Sequence, residues 1–141
     1  MLHADSLHAL TELPAASVDA VVCDPPYGIS FNGHAWDGPA IHQAASVHAD
    51  RRLSPGEAFE AWTQAWTAQC LRLLKPGGHF AAFGAPRTFH RGVEDAGFEL
   101  RDVLIWLYGT GMPKSRRLPG GLGTALKPAY EPILLARKKP S

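Results

Sequence analysis

The stretch VDAVVCDPPY, residues 18–27, combines a strand-forming run with two consecutive prolines. Its first six residues are mostly apolar and rich in valine, a composition typical of a buried strand. Pro25 and Pro26 have no N–H to donate to a sheet ladder, so the strand must end before them. Asp24 and Tyr27 are therefore expected at the carboxyl end of a strand, where open α/β sheets bind their ligands.

A short helix is predicted just before this strand. Asp5-Ser6 can serve as its N-cap, and Leu7, Leu10 and Leu13 then share one helical face. Residues 14–17 make the turn into the strand. Asp5 is expected to cap its own helix, although its position one helix before the strand would also let it face the same cleft as Asp24.

Residues 28–53 follow the strand and are rich in Gly, His, Ala and Asp. They show little periodicity, which predicts a long loop, and loops of that length in compact domains are usually functional or disordered. His34, His42 and His48 lie in this segment, but their spacing matches no common ligand pattern, so we predict no metal site.

The rest of the chain alternates helices and strands. Ser54-Pro55-Gly56-Glu57 is a capping box that begins a helix, and apolar residues then recur at helical spacing. This apolar stripe consists of Phe59, Trp62, Trp66, Cys70, Leu73 and Leu74. The later elements are expected as a strand at 79–83, a helix at 87–96, a strand passing through the sheet at 98–108, a basic irregular segment at 109–126 and a last strand at 133–138. We predict a single partial α/β domain over residues 1–141, with about five strands, flanking helices and a closing antiparallel hairpin.

Composition narrows the class of protein. Nothing approaches the run of about eighteen apolar residues that a membrane span needs, and no signal peptide opens the chain, so a cytoplasmic protein is expected. Cys23 and Cys70 lie in apolar patterns and are expected as buried free thiols.

Residues 1–100 hold 6 Lys/Arg against 11 Asp/Glu, whereas residues 101–141 hold 8 against 2. A basic end of this kind either faces a polyanion or is a solvated tail.

The groups at the strand end suit chemistry on an amino group. An exocyclic amino group of adenine or cytosine is a poor nucleophile because its lone pair is delocalised into the ring. Acceptors placed around its hydrogens favour methylation by stabilising the positive charge that develops on nitrogen. Asp24 and the Pro25 carbonyl are such acceptors, and Tyr27 offers a ring for stacking on a base flipped out of the duplex. Taken alone, these residues could also be only a strand stop and turn.

The surroundings of this motif resemble the N6-adenine/N4-cytosine DNA methyltransferases, in the order that places the catalytic motif before the cofactor motif. The resemblance runs through Asp5-Ser6-Leu7, Asp24-Pro25-Pro26-Tyr27-Gly28, Leu74-Lys75-Pro76-Gly77-Gly78, Arg87-Thr88-Phe89-His90-Arg91, Trp106-Leu107-Tyr108-Gly109-Thr110-Gly111-Met112-Pro113-Lys114-Ser115 and Lys127-Pro128-Ala129-Tyr130-Glu131-Pro132. The later stretches are similar to methylases of phages and prophages.

This resemblance implies a Rossmann-like class I methyltransferase sheet with one reversed strand, S-adenosylmethionine as the cofactor and DNA as the substrate. Residues 24–27 would form the catalytic motif, with Asp24 and Pro25 also at the cofactor and Asp5 near its nucleoside end. Lys127 and Glu131 would lie beside the target base. The DNA-recognition residues would be Lys114, Ser115, Arg116, Arg117 and Lys127.

Two departures from the family pattern qualify this prediction. The His-Pro-x-Gln-Lys-Pro-like segment and the Phe-x-Gly-x-Gly loop that cradles the methionine part of the cofactor do not occur in the 141 residues. The stretch between Lys114 and Gly123 is short for a target-recognition domain, so residues 28–53 or a missing portion would supply DNA contacts instead. We therefore expect a catalytic half-domain that needs a second chain or a further segment.

Two alternatives stay open. The chain could be a non-catalytic module that binds nucleic acid through its basic C-terminal third. It could also be a transferase for a protein amide or an RNA base, although the relatives with those substrates more often carry Asn where Asp24 stands.

Overall fold

A computed structural model describes residues 3–47, 51–84, 88–110, 114–117, 119–126 and 129–140, with the backbone alone at 114–117 and 124–126. In chain order its helices are α1 (Ser6–Glu12), α2 (Pro39–Ser46), α3 (Pro55–Leu73) and α4 (Thr88–Asp95). Its strands are β1 (Val18–Cys23), β2 (Leu74–Phe83), β3 (Glu99–Leu107), β4 (Lys114–Arg117), β5 (Gly123–Leu126) and β6 (Tyr130–Arg137).

Four strands form the main sheet in the order β1-β2-β6-β3. β1 and β2 run parallel, whereas β6 is antiparallel to both β2 and β3. The α/β class, the reversed strand and the antiparallel closing pair predicted from the sequence are thereby confirmed. β1 and β2 are joined through α3, the connection that parallel neighbours require.

Helix α3 forms the centre of the hydrophobic core. It begins as predicted, since the Ser54 hydroxyl accepts from the Glu57 backbone N–H and the Glu57 carboxylate accepts from the Ser54 N–H at 2.8 Å. The predicted apolar stripe is buried at Phe59, Trp66 and Cys70. These side chains pack against β2, β6 and α4, where Phe80, Phe89, Val93 and Leu134 are almost fully buried.

The prediction of a long loop over 28–53 is wrong in part. Two single turns of 3-10 helix, Phe31–Gly33 and Ala35–Asp37, lead into α2. Pro39 occupies the first turn of α2, where a missing N–H costs nothing. Ile41 provides the buried contact of α2, and alanines elsewhere in the helix blur the apolar period that would have revealed it.

The prediction of an irregular segment at 109–126 is also corrected. β4 and β5 pair antiparallel, from Lys114 opposite Leu126 to Arg117 opposite Gly123, and form a separate two-stranded ribbon. Because of the glycines and the proline around the intervening turn, the periodicity of the sequence does not indicate this pairing. The described strands are thus four in the main sheet and two in the ribbon, instead of about five in one sheet.

β3 lies at the edge of the sheet, not within it as its apolar sequence predicted. Five consecutive residues in its second half, Val103–Leu107, are at least 39% exposed. A strand with apolar residues on both sides is expected to be covered on both faces. Among the described residues, that half of β3 has no such cover.

The main sheet has two unlike faces. The covered face packs against α3 and α4 and carries Val21, Cys23, Phe80, Ala82, Leu134 and Ala136. The open face carries the alternate residues, which are Val22, Ala81, Phe83, Leu104, Trp106, Ile133 and Leu135. Val22 is 81% exposed and Trp106 is 56% exposed, whereas Phe80 is fully buried.

None of the helices among the described residues is long and apolar enough to cross a membrane.

Candidate functional site

All four strands of the main sheet have one end on the same side of the sheet, which we call the carboxyl edge. Cys23 lies opposite Ala82, Phe83 opposite Ile133, and Leu107 opposite Tyr130, so β1, β2 and β3 end where β6 begins. Residues 24–27 leave β1 at this edge, as the sequence predicted. The edge is the carboxyl side of the two parallel strands, where α/β sheets place their ligands.

Asp24 and Tyr27 are directly connected. The Tyr27 hydroxyl donates a hydrogen bond to Asp24 Oδ1 at 3.0 Å, and Tyr27 is half-buried while Asp24 is exposed. Burial, followed by this hydrogen bond, raises the pKa of Tyr27 well above its usual value. The phenol therefore stays protonated near neutral pH and acts as a donor that fixes the position of the carboxylate.

Tyr108 and Glu131 extend the site along the same edge. A hydrogen bond to the Glu131 carboxylate raises the pKa of Tyr108, and the charge of Glu131 also contributes to the raised pKa of Tyr27. Two carboxylates and two phenols are thus electrostatically linked. Tyr108 was missed by sequence reasoning because the predicted antiparallel pairing of β3 and β6 did not include the register that places Tyr108 next to Glu131.

Asp37 organises the loop that follows the motif, and sequence reasoning missed it as well. Its side chain is only 1% exposed. Its carboxylate accepts from the backbone N–H groups of Gly28 at 2.8 Å, Ile29 at 3.3 Å and Phe31 at 2.8 Å. Asp37 lies in a segment without periodicity, so no pattern in the sequence indicated that it would be buried.

Gly28 joins this loop to the core. Its φ of +71° is in the region that favours glycine, and a Cβ at this position would lie 2.5 Å from Cδ2 of the buried Phe59. Gly28 is thus held between the Asp37 carboxylate on one side and α3 on the other. The residue directly after Tyr27 has little room to move.

Asp5 caps α1, as expected from the sequence. Its carboxylate accepts from the His8 N–H at 3.1 Å. Leu7 and Leu10 of the same helix pack against the core. A role of Asp5 at a cofactor stays a prediction.

The predicted DNA-contacting residues lie in and after the ribbon. Lys114, Ser115, Arg116 and Arg117 are the four residues of β4, which the structure describes as backbone. Lys127 lies outside the described residues. The fold therefore brings the first four together along one strand, and their contact with DNA stays a prediction.

The two cysteines are free thiols, of which Cys70 is buried as predicted and Cys23 is only half-buried. Burial raises the pKa of Cys23 to about 12 and that of Cys70 to about 11, so both thiols stay protonated near neutral pH. His48 lies outside the described residues. Within those residues, no group of three or more His, Cys, Asp or Glu is placed to hold a metal ion.

Comparison with known proteins gives a consistent picture. A DNA methylase family model, for N6 and N4 methylation, matches residues 18–141. The type II methyltransferase M.HindIII of Haemophilus influenzae is 24% identical over 177 residues, covering 96% of this chain and 57% of that protein.

Two solved structures share the fold. TTHA0409 of Thermus thermophilus, complexed with S-adenosyl-L-methionine, is 25% identical with a TM-score of 0.59, over 97% of this chain and 54% of that one. The cytosine-N4-specific PvuII DNA methyltransferase is 17% identical with a TM-score of 0.62, over 98% of this chain and 49% of that one.

The chain spans about half the length of these relatives. The family model nevertheless matches from the first residue of β1 through the motif, the main sheet and the ribbon. The chain belongs to the N6/N4 DNA methylase family.

Proposed function

We propose that this chain is the catalytic half of an enzyme that transfers a methyl group from S-adenosylmethionine to the exocyclic amino group of adenine or cytosine in DNA. The observation that carries the proposal is the position of residues 24–27 at the carboxyl edge of the sheet, with Asp24 held by the Tyr27 hydroxyl. Family membership supports the same conclusion. Restriction–modification is a suitable setting, since a type II methyltransferase is among the relatives.

In this proposal, Asp24 and the Pro25 carbonyl accept hydrogen bonds from the target amino group. The acceptors would draw the nitrogen lone pair away from the ring and stabilise the positive charge that develops on nitrogen as the N–C bond forms and the methyl–sulfur bond of the sulfonium breaks, with the neutral thioether as the leaving group. The nitrogen then loses a proton, for which the exposed Asp24 carboxylate is the nearest acceptor in the motif. Pro26 keeps the segment from continuing the strand, so both acceptors stay at the edge.

The Tyr27 ring provides the surface on which the flipped base stacks. Base–aromatic stacking contributes about 1–3 kcal/mol per base, which helps offset the cost of removing the base from the duplex. Because the Tyr27 hydroxyl is already bound to Asp24, stacking and amino-group recognition are linked through one side-chain pair.

The groups at the sheet edge fit the proposed cofactor. S-adenosylmethionine, when bound, supplies an electrophilic methyl group on a positively charged sulfonium. Asp24 and Glu131 contribute carboxyl groups, and Tyr27 and Tyr108 contribute aromatic rings, a combination that favours a nearby cation. Asp24 and Pro25 would contact the cofactor on this side, and Asp5 would lie toward its nucleoside.

We propose that the other half of the cofactor pocket, with a glycine loop, comes from a second chain or a further segment. Among the described residues, nothing covers the open face and no strand pairs with the outer side of β1. This supports the proposal, because a sheet that is apolar on both faces is normally covered on both. Alone, the 141 residues should bind S-adenosylmethionine weakly or not at all. Micromolar binding by calorimetry would contradict this part of the proposal.

The basic residues Lys114, Arg116, Arg117 and Lys127 are proposed to contact DNA phosphates, and Ser115 lies among them. Their contribution would be largely independent of sequence and would weaken with salt. Because the proposed substrate is cellular DNA, we propose that the activity is located in the cytoplasm.

The coding region with its genomic flanks, expressed in a host whose DNA lacks both modified bases, tests the function. Digestion of the host DNA to nucleosides and mass spectrometry should reveal N6-methyladenine or N4-methylcytosine. Asp24→Ala should reduce the modification by about 10²–10³-fold, the loss expected for an acceptor that acts in the transition state.

Asp19→Ala is the matched control, because Asp19 is an exposed carboxylate on β1, the strand that leads into the motif, and it pairs with Lys75 at 2.7 Å. It should leave the modification unchanged. Absence of both methylated bases with the wild-type gene, or full modification by Asp24→Ala, would refute the proposal.

A further inference from the structure

The segment from Gly28 to Asp37 closes on itself around one buried carboxylate. Besides the three N–H groups that its side chain accepts, the Asp37 carbonyl accepts from the Ser30 N–H at 2.7 Å. Four consecutive backbone N–H groups, from Gly28 to Phe31, therefore donate to this single residue. Such an arrangement determines the path of the chain directly after the motif.

The loop is strained and needs this anchor. Ser30 has φ +54° and Asn32 has φ +51°, both in the left-handed region that non-glycine residues rarely adopt. Backbone conformations of this kind persist where the surrounding contacts impose them. The N–H groups on either side of Ser30, and its own, all donate to Asp37.

The charge of Asp37 is balanced by the backbone. Burial raises the pKa of this carboxyl, but the N–H groups that donate to it, above all those of Phe31 and Gly28, outweigh burial and lower the pKa below its usual range. The carboxylate is ionised near neutral pH and acts only as an acceptor. An Asn side chain cannot replace it, since its NH₂ group would face donors with no acceptor among them.

We propose that Asp37 is a positioning residue of the site, which sets the orientation of Tyr27 by holding the adjoining Gly28 against Phe59. The structural part of this proposal concerns the loop alone. Its catalytic meaning rests on the proposed function, because Tyr27 is there the residue that stacks on the base and holds Asp24.

Asp37→Asn in the full chain tests the proposal, with Asp19→Asn as the matched control on an exposed Asp. Amide hydrogen exchange by NMR should become about tenfold faster or more at Gly28 and Phe31, the effect of losing a bond to a charged acceptor. Amides of β1 and β2 should be unchanged. Asp19→Asn should alter neither set.

Titration of the Tyr27 ring by ¹³C NMR reports on the position of that side chain. In the wild type, its pKa should lie above the ordinary value of about 10, and in Asp37→Asn it should fall toward that value as Tyr27 becomes less buried and its contact with Asp24 is lost. An unchanged Tyr27 titration, or loop amides that stay protected, would refute the proposal. Equal acceleration in β1 and β2 would refute it too.

If Asp37→Asn does not fold, the double variant Ser30→Gly with Asp37→Asn removes the strain at Ser30 and permits the same measurements. In an active preparation, Asp37→Asn should lower kcat and leave the Kd for DNA unchanged. If Asp37→Asn loses loop protection and lowers the Tyr27 pKa, while the wild type methylates no DNA even when expressed with its genomic flanks, the positioning role is confirmed and only the proposed function is refuted.

Discussion

The two faces of the main sheet are made of alternate residues of the same strands, yet the covered face buries its central residues whereas the open face leaves them half-buried or exposed. On the covered face, Phe80, Ala82, Leu134 and Ala136 are at most 1% exposed. On the open face, Val22 is 81% exposed although it adjoins Val21 and Cys23 on the covered side. An apolar strand sequence therefore indicates that both faces of the strand are suited to burial. It does not indicate whether the described residues of the chain bury both faces.

The largest effect is expected from Phe80→Ala, on the covered face of β2. Phe80 is fully buried and contacts both Trp66 and Phe98, with ring centroids 5.8 Å and 4.9 Å apart. The truncation leaves a cavity and should lower the free energy of unfolding by about 3–5 kcal/mol. Urea unfolding followed by tryptophan fluorescence measures it.

Phe83→Ala is the control for this prediction, since Phe83 lies on the open face of the same strand and is only half-buried. Phe83→Ala should lower the free energy of unfolding by clearly less than Phe80→Ala does. An equal cost for the two variants would show that the open face is as well packed as the covered one, and would break the comparison.

An intermediate effect is expected from Gly28→Ala, at the edge where the core meets the site. The added Cβ would meet Phe59 at 2.5 Å in a backbone with φ +71°. The combined strain should cost about 1–3 kcal/mol of stability. In the proposed enzyme it should also lower methyl transfer, because Tyr27 adjoins the displaced residue.

Gly33→Ala separates the two causes. Gly33 has a similar φ of +74°, but a Cβ there would have no atom within 4 Å. Thermal unfolding should show a smaller loss, of about 1 kcal/mol, which is the cost of the backbone conformation alone. If both variants lose the same stability, contact with Phe59 does not restrain the loop.

The smallest effect is expected from Trp106→Ala on the open face. Trp106 is 56% exposed and touches Phe83 edge-on, with ring centroids 6.3 Å apart. The free energy of unfolding of the isolated chain should fall by less than about 1 kcal/mol, because little of the apolar surface of Trp106 is buried. Chemical denaturation measures this loss, and a value near that of Phe80→Ala would contradict it.

A sharper form of the same test uses the complementing half that we propose. If that half covers the open face, Trp106→Ala should weaken its association while leaving the isolated chain nearly unaffected. The contrast between the two measurements identifies the face that is covered.

Elements with local signals were predictable from the sequence. The capping box at Ser54 and Glu57 fixed the beginning of α3, and the prolines after Cys23 fixed the end of β1. Each signal consists of residues within one turn or one strand of the feature it determines.

Features that depend on distant residues were not predictable. α2 was missed because its buried contact is essentially one residue, Ile41, and β3 was misplaced because an apolar strand does not reveal whether it has neighbours. The ribbon of β4 and β5 was missed because its pairing register is set across a turn rich in glycine and proline.

The sequence by itself determined that a carboxylate, two prolines and a tyrosine stand at the end of a strand in an α/β chain, because residues 18–27 carry those signals locally. Only the tertiary structure decided how they are held. The link between Tyr108 and Glu131 depends on two distant segments that meet at one edge, whereas the Tyr27–Asp24 bond and the buried Asp37 depend on how the chain folds back on itself after β1. Hydrogen bonds between such segments leave no period in the sequence, and the packing of the core brings them within reach.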